Sequence, residues 1–89
     1  MSVIYKYQLL NSPIVELEIP EGAEILCVQT QREVPCMWVR VDKEAPLVKR
    51  KFRSVATGCD FNSDEVGDYI GTIQSAGEHL VFHIFEVVN

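Results

Sequence analysis

The basic residues cluster where they can bind an anion. Six of the eight Lys and Arg fall between positions 40 and 53: Arg40, Lys43, Lys49, Arg50, Lys51 and Arg53. On a strand, Lys49, Lys51 and Arg53 share one face, spaced about 6.6 Å apart as two pleats require. Such a ladder suits phosphate or carboxylate oxygens, and Arg53 can bind them bidentately. It also suits an exposed edge strand, where lysines deter edge-to-edge pairing. Trp38 and Arg40 lie two apart on one strand face, an arrangement that can stack a purine and hold a phosphate. The same Trp38 equally fits as the largest core residue of a chain with one Trp.

His79 and His83 are four apart. On a helix they could hold a metal together. The residues around them, Leu80 to Val88, are β-branched and aromatic, which favours a strand. Four residues of strand span about 13 Å, so one ion cannot bridge the pair. No metal site is expected. His83 lies on the face of Val81 and Phe85, as a hydrogen-bonded core or interface residue, a ligand contact, or a general base with Glu86. Thr57-Gly58 and Gly71-Thr72 place hydroxyls near turns, and Tyr69 adds a phenol and a stacking ring. No phosphate-loop or dinucleotide-loop pattern is present, and the adjacent Asp64 and Glu65 read as solvated loop charge rather than an acid–base dyad.

Cys27, Cys36 and Cys59 are an odd number, nine and twenty-three residues apart. No pair has the spacing of a Cys-x-x-Cys knuckle, so free thiols in a reducing cytosol are the expectation. The opening Met1 to Leu10 has neither a basic region followed by an apolar stretch nor a small-residue cleavage site. These features point to a cytoplasmic protein with no cofactor.

The elements that must position these groups have a period of two. Val3, Tyr5, Tyr7 and Leu9 alternate with Ile4, Lys6 and Gln8; Val15, Leu17 and Ile19 alternate with Glu16 and Glu18. Asn11-Ser12-Pro13 and Pro20-Glu21-Gly22-Ala23 read as turns. A third strand from Glu24 to Gln31 puts Leu26, Val28 and Thr30 on one face, opposite Ile25, Cys27 and Gln29. After a turn at Arg32 to Pro35, a fourth runs from Cys36 to Val41 and a fifth from Leu47 to Thr57. One helical turn fits at Asn62 to Val66, capped by Asn62 or Ser63. Strands at Tyr69–Gln74 and His79–Val88, joined by Ser75-Ala76-Gly77-Glu78, carry a hairpin signal. The last strand is apolar on both faces and must be covered on both sides.

The 89 residues allow one domain, residues 1–89. The reading is a mainly β fold, a small antiparallel sandwich or barrel-like domain of six to seven strands with at most one short helix. A composition 47% hydrophobic and 24% charged excludes a disordered chain. No apolar run is long enough to span a membrane as a helix. The net charge of −5 argues against nucleic acid as a partner. So small a chain covers its sheet faces most readily as a homo-oligomer.

The segments Ile4 to Tyr7, Pro20 to Gln29, Met37-Trp38-Val39, Thr57-Gly58, Tyr69 to Thr72 and Leu80 to Glu86 together resemble a family of small phage and prophage proteins carried as a domain of unknown function. The resemblance covers nearly the whole chain. Members carry a histidine directly after the Thr-Gly pair, where this chain has Cys59. The resemblance implies a phage-encoded cytosolic accessory protein and no established reaction. In size, compartment and expected oligomery the chain is similar to phage sponges, which sequester cyclic or ADP-ribose-type nucleotide immune signals. On that reading Trp38 or Tyr69 stacks the base, Arg40, Lys51 and Arg53 hold phosphates, and Thr57, Thr72 and His83 supply hydrogen bonds. The pocket would be shared between subunits, with no catalysis. An acidic protein-interaction module working through the Asp60–Asp68 loop is the alternative. An enzyme using His83 with Glu86 is a third.

Overall fold

A computed structural model describes residues 1–9, 12–75 and 80–87. Its strands are β1 (Ser2–Gln8), β2 (Ile14–Pro20), β3 (Glu24–Gln31), β4 (Val34–Asp42), β5 (Leu47–Ala56), β6 (Val66–Gln74) and β7 (Val81–Val87). One 3-10 turn, Ser63–Glu65, precedes β6, with the Asn62 side chain accepting from the Asp64 amide. The strands form two antiparallel sheets, β1-β4-β3 and β2-β5-β7-β6. The fold is a small β-sandwich, as the period-two pattern requires.

The inner faces supply the core. Met37, Val39 and Val41 from β4 meet Ile19 of β2, Phe52 of β5, Ile73 of β6 and Ile84 of β7. Each such side chain, taken wholly out of water, contributes about 1.5–3 kcal/mol. Trp38 is not among them. It pairs in register with Lys6 and Cys27 on the outer face of the three-stranded sheet, because alternation sends Met37 and Val39 inward and Trp38 outward.

Two turns are set by backbone geometry. Pro20 to Ala23 closes with the Ala23 amide donating to the Pro20 carbonyl at 3.2 Å, and Gly22 takes φ +79°. That positive φ at the third position is the type II pattern, which glycine adopts without strain. The β3–β4 hairpin turns on Arg32 and Glu33, with φ 51° and 67°. Gln31 pairs directly with Val34, so the turn is tighter than the four residues expected, and Val34 and Pro35 belong to β4.

Two strands break the simple alternation. In β3 the register shifts between Ile25 and Cys27, leaving Leu26 as the extra residue of a bulge. Ile25 then pairs with Val39 and Val28 with Met37, so both pack toward the core, correcting the expectation that they face opposite ways. In β6 the register shifts between Tyr69 and Gly71, with Ile70 as the extra residue. β6 starts at Val66, three residues before the predicted strand. The expected hairpin turn at Ala76 to Glu78, His79 and Val88 lie outside the described residues.

The sheets close against each other along β3 and β6. The Thr30 hydroxyl donates to the Gln74 carbonyl at 2.9 Å. A Cβ on Gly71 would stand 2.6 Å from Val28 Cγ1, so only glycine permits this approach.

Candidate functional site

β5 lies between β2 and β7, so the basic ladder is central and the edge-strand expectation for it is corrected. Antiparallel pairing puts directly opposed residues on one face, and this aligns three rows across β5, β7 and β6. Arg53 opposes Phe85, which opposes Tyr69; Val55 opposes His83, which opposes Thr72. In the third row, the Thr57 amide donates to the Val81 carbonyl at 3.0 Å, and Val81 opposes Gln74. Strict alternation would put Tyr69 and Thr72 on opposite faces. The bulge at Ile70 returns them to one.

A hydrogen-bonded chain runs through these rows. His83 Nε2 is 2.7 Å from the Thr57 hydroxyl and Nδ1 is 2.9 Å from the Thr72 hydroxyl, which in turn bonds the Tyr69 phenol. The Thr57 hydroxyl also faces the Val81 carbonyl at 3.5 Å. If it donates there, its oxygen accepts from Nε2–H, Nδ1 accepts from Thr72, and Thr72 accepts from Tyr69. Every hydroxyl proton in that arrangement has an acceptor.

Above this chain sits an aromatic group. Phe85 has Phe61 at 5.7 Å between centroids and Tyr69 at 5.6 Å, the latter edge-on. Phe61 comes from the loop after β5, which folds over the outer face of the sheet. Val55 is 94% shielded although it lies outside the main core. The outer face of β7 is therefore covered within the chain itself, at least around Phe85.

The cations of this face are balanced by carboxylates. Lys49 and Lys51 each lie 3.9 Å from a Glu16 oxygen, Glu18 opposes Lys49 in register, and Arg53 bonds Glu65 at 3.1 Å. Glu65 is exposed while Arg53 is half-buried.

Of the eight predicted binding residues, Lys51, Arg53, Thr57, Tyr69, Thr72 and His83 share this outer face. Trp38 and Arg40 do not. They lie on the outer face of the other sheet, where Arg40 pairs with Glu24 directly across the β4–β3 ladder. Within one chain no pocket brings all eight together: β4 is the centre of the three-stranded sheet, and two sheets separate its outer face from His83.

His83 and Glu86 are also separated. They differ by three along β7, an odd number, so Glu86 points to the inner face. There it holds Arg50 bidentately, at 2.6 and 2.7 Å, while Arg50 Nη1 donates to the Ala23 carbonyl at 2.8 Å. The Glu86 hydrogen bonds hold the Arg50 guanidinium above its ordinary range, against the opposing effect of burial. A proton-sharing His83–Glu86 pair is ruled out by this geometry.

Phe61, Phe85 and Glu65 were not among the predicted site residues. Phe85 was legible, since it shares a face with His83 two residues away. A lone aromatic in the polar Gly58 to Asp68 stretch was the available signal for Phe61. Nothing in the sequence marks Glu65 over Asp64.

Two hollows lie on the inner side of the four-stranded sheet, away from His83. A polar one of about 420 Å³ is lined by Ile25, Arg50, Asp68, Tyr69, Ile70 and Glu86. An apolar one of about 320 Å³ opens between the sheets near Leu9, Pro13, Pro35, Ile73 and Phe82. Among the described residues no group of three or more His, Cys, Asp or Glu is placed to hold a metal ion. The three cysteines are free, and no described helix is long and apolar enough to cross a membrane.

No curated protein and no solved structure matches the chain. A family model does match, over residues 1–89, and the chain therefore belongs to the family described as Domain of unknown function (DUF7352).

Proposed function

We propose that the chain is a non-enzymatic binder that sequesters a small phosphorylated nucleotide on the outer face of the four-stranded sheet. The observation that carries this reading is that Arg53, Thr57, Tyr69, Thr72 and His83 share one face with the rings of Phe61 and Phe85, with Lys51 farther along β5 on the same face. Rings for a base, cations for phosphate and hydroxyls for a sugar are the three chemistries such a ligand needs. Both His83 nitrogens are occupied by threonine hydroxyls, and no carboxylate among the described residues touches the ring, an arrangement suited to holding rather than to proton transfer. In a phage-infected bacterial cytosol a binder of this kind acts as a sponge for a cyclic or ADP-ribose-type immune signal.

The test is calorimetric titration of the full chain with ADP-ribose and with a 3′,5′-cyclic dinucleotide, repeated on Arg53→Ala. A stoichiometric complex weakened about ten-fold or more by Arg53→Ala supports the reading. Binding that ignores Arg53→Ala removes the phosphate assignment, and no binding of either ligand removes the nucleotide.

The acidic interaction module is a second reading, favoured by the exposure of Asp60, Asp64, Glu65 and Asp68 around the same loop. A host protein whose capture survives moderate salt and is lost on neutralising those four would establish it instead.

A further inference from the structure

The sandwich is shut along one flank and open along the other. β3 and β6 close the first, through the Thr30–Gln74 hydrogen bond and the Val28–Gly71 approach. On the second, β1 and β2 are the edges of their sheets and share no ladder. Inner-face residues are left partly uncovered there: Tyr5 is 39% exposed, and Val3, Val15 and Leu17 are half-buried. The outward backbone groups of both edges follow from the ladders. The Leu9 amide donates to the Pro35 carbonyl at 2.8 Å and the Ser54 amide to the Pro13 carbonyl at 2.9 Å, each continuing its ladder's register. Hydrogen-bonded pairs alternate along an antiparallel ladder. Val3, Tyr5 and Tyr7 therefore bond β4, while Ser2, Ile4, Lys6 and Gln8 point their amides and carbonyls outward. On β2 the outward residues are Ile14, Glu16, Glu18 and Pro20.

From this we infer that the open flank binds a second copy of the chain, with β1 of each copy pairing antiparallel with β2 of the other. The two-fold axis runs along the strands, between the layers. Rotation about it exchanges the layers, so the three-stranded sheet of one copy continues into the four-stranded sheet of the other. Both edges are used and the contact closes on itself. Leu9, after β1, and Pro13, before β2, line the same hollow, so the two strands run in opposite directions. The rotation preserves strand direction, which makes β1 antiparallel to the partner's β2. It also shifts nothing along the strands, so the level of Leu9 with Pro13 sets the register.

Opposed residue numbers then sum to twenty-two, which pairs the whole of Ser2–Gln8 with the whole of Ile14–Pro20, seven residues on each. Outward groups meet outward groups, and only the missing Pro20 amide is lost, at the end of the ladder. On the inner face Tyr5 meets the partner's Leu17 and Tyr7 the partner's Val15, which covers the open flank. Charge favours this pairing over β2 with itself. Two β2 strands would bring Glu16 and Glu18 together, whereas β1 has no acid and sets Ile4 against the partner's Glu18. The inference does not rest on the ligand reading, whose residues lie on neither edge.

Sedimentation equilibrium of the full chain over a concentration series tests it, with circular dichroism following the fold. The unmodified chain is expected to be a dimer. Ile4 is 56% exposed and opposes Arg40 within its own sheet. Ile4→Glu therefore suits its own sheet but sets two like-charge pairs between the copies, and should weaken the dimer roughly ten-fold. Ile4→Lys does the reverse and should leave the dimer at least as tight. Damage to the fold would give the opposite order. Hydrogen exchange reads the register: the amides of Ile4, Lys6, Glu16 and Glu18 should be protected in the dimer and exchange freely on dilution. A monomer at every concentration overturns the inference. So does a dimer that Ile4→Lys weakens as much as Ile4→Glu, or one in which those amides exchange freely.

Discussion

His83 is held by two threonine hydroxyls, and its tautomer follows from what those hydroxyls can reach. With Thr57 donating to the Val81 carbonyl, the ring proton belongs on Nε2. Nitrogen-15 NMR of the imidazole at neutral pH is expected to show a protonated Nε2 and a bare Nδ1; the reverse would mean that Thr57 donates to the ring. His83→Ala leaves Thr57 and Thr72 without their shared partner and should lower stability by about 1–3 kcal/mol in urea unfolding. Glu65 occupies the guanidinium that a phosphate would take. Glu65→Gln should therefore tighten ADP-ribose binding roughly two- to five-fold while Arg53→Ala weakens it, both read by calorimetry. A Glu65→Gln affinity equal to that of the unmodified chain would mean that the loop does not compete with ligand.

The strands themselves were legible because their inner residues repeat every second position. Val15, Leu17 and Ile19, and Met37, Val39 and Val41, could face only one way. Bulges were not legible, since an extra residue leaves the composition of a strand unchanged while reversing its faces. That is why Ile25 and Val28 were set on opposite faces, and why Tyr69 and Thr72 could not be joined from spacing alone. Sheet membership was hidden too: β1 and β2 read alike, yet they belong to different sheets. Which cations share a face with His83 followed from that assignment, and Trp38 and Arg40 lie on the other sheet of the same chain. Two substitutions test the elements. Gly71→Ala drives a methyl into Val28 and should cost about 1–3 kcal/mol, with Val28→Ala in the same chain recovering part of the loss. Glu33 holds φ 67° in a two-residue turn that prefers glycine, so Glu33→Gly should raise the thermal midpoint rather than lower it.

At the scale of the molecule, the one acid on the inner face of β7 is answered by the one cation on the inner face of β5. Arg50→Ala strands Glu86 with its side chain 24% exposed and should destabilise by about 1–3 kcal/mol. The alkaline limit has a different source. Burial, and then the nearby Tyr5, push the Tyr7 phenol above its ordinary value. The folded chain therefore keeps a proton that the unfolded chain releases near pH 10, so this contribution is complete below about 10 and is lost as pH rises further. Tyr7→Phe should flatten that part of the decline in a pH series of unfolding midpoints. The central claim concerns where a ligand sits, and a chemical-shift map of the amides on addition of ADP-ribose addresses it most directly. The account predicts shifts at Arg53, Thr57, Tyr69, Thr72, His83 and Phe85, with the β4 segment around Trp38 and Arg40 unmoved. Shifts centred on Trp38 and Arg40, or none at all, would contradict it.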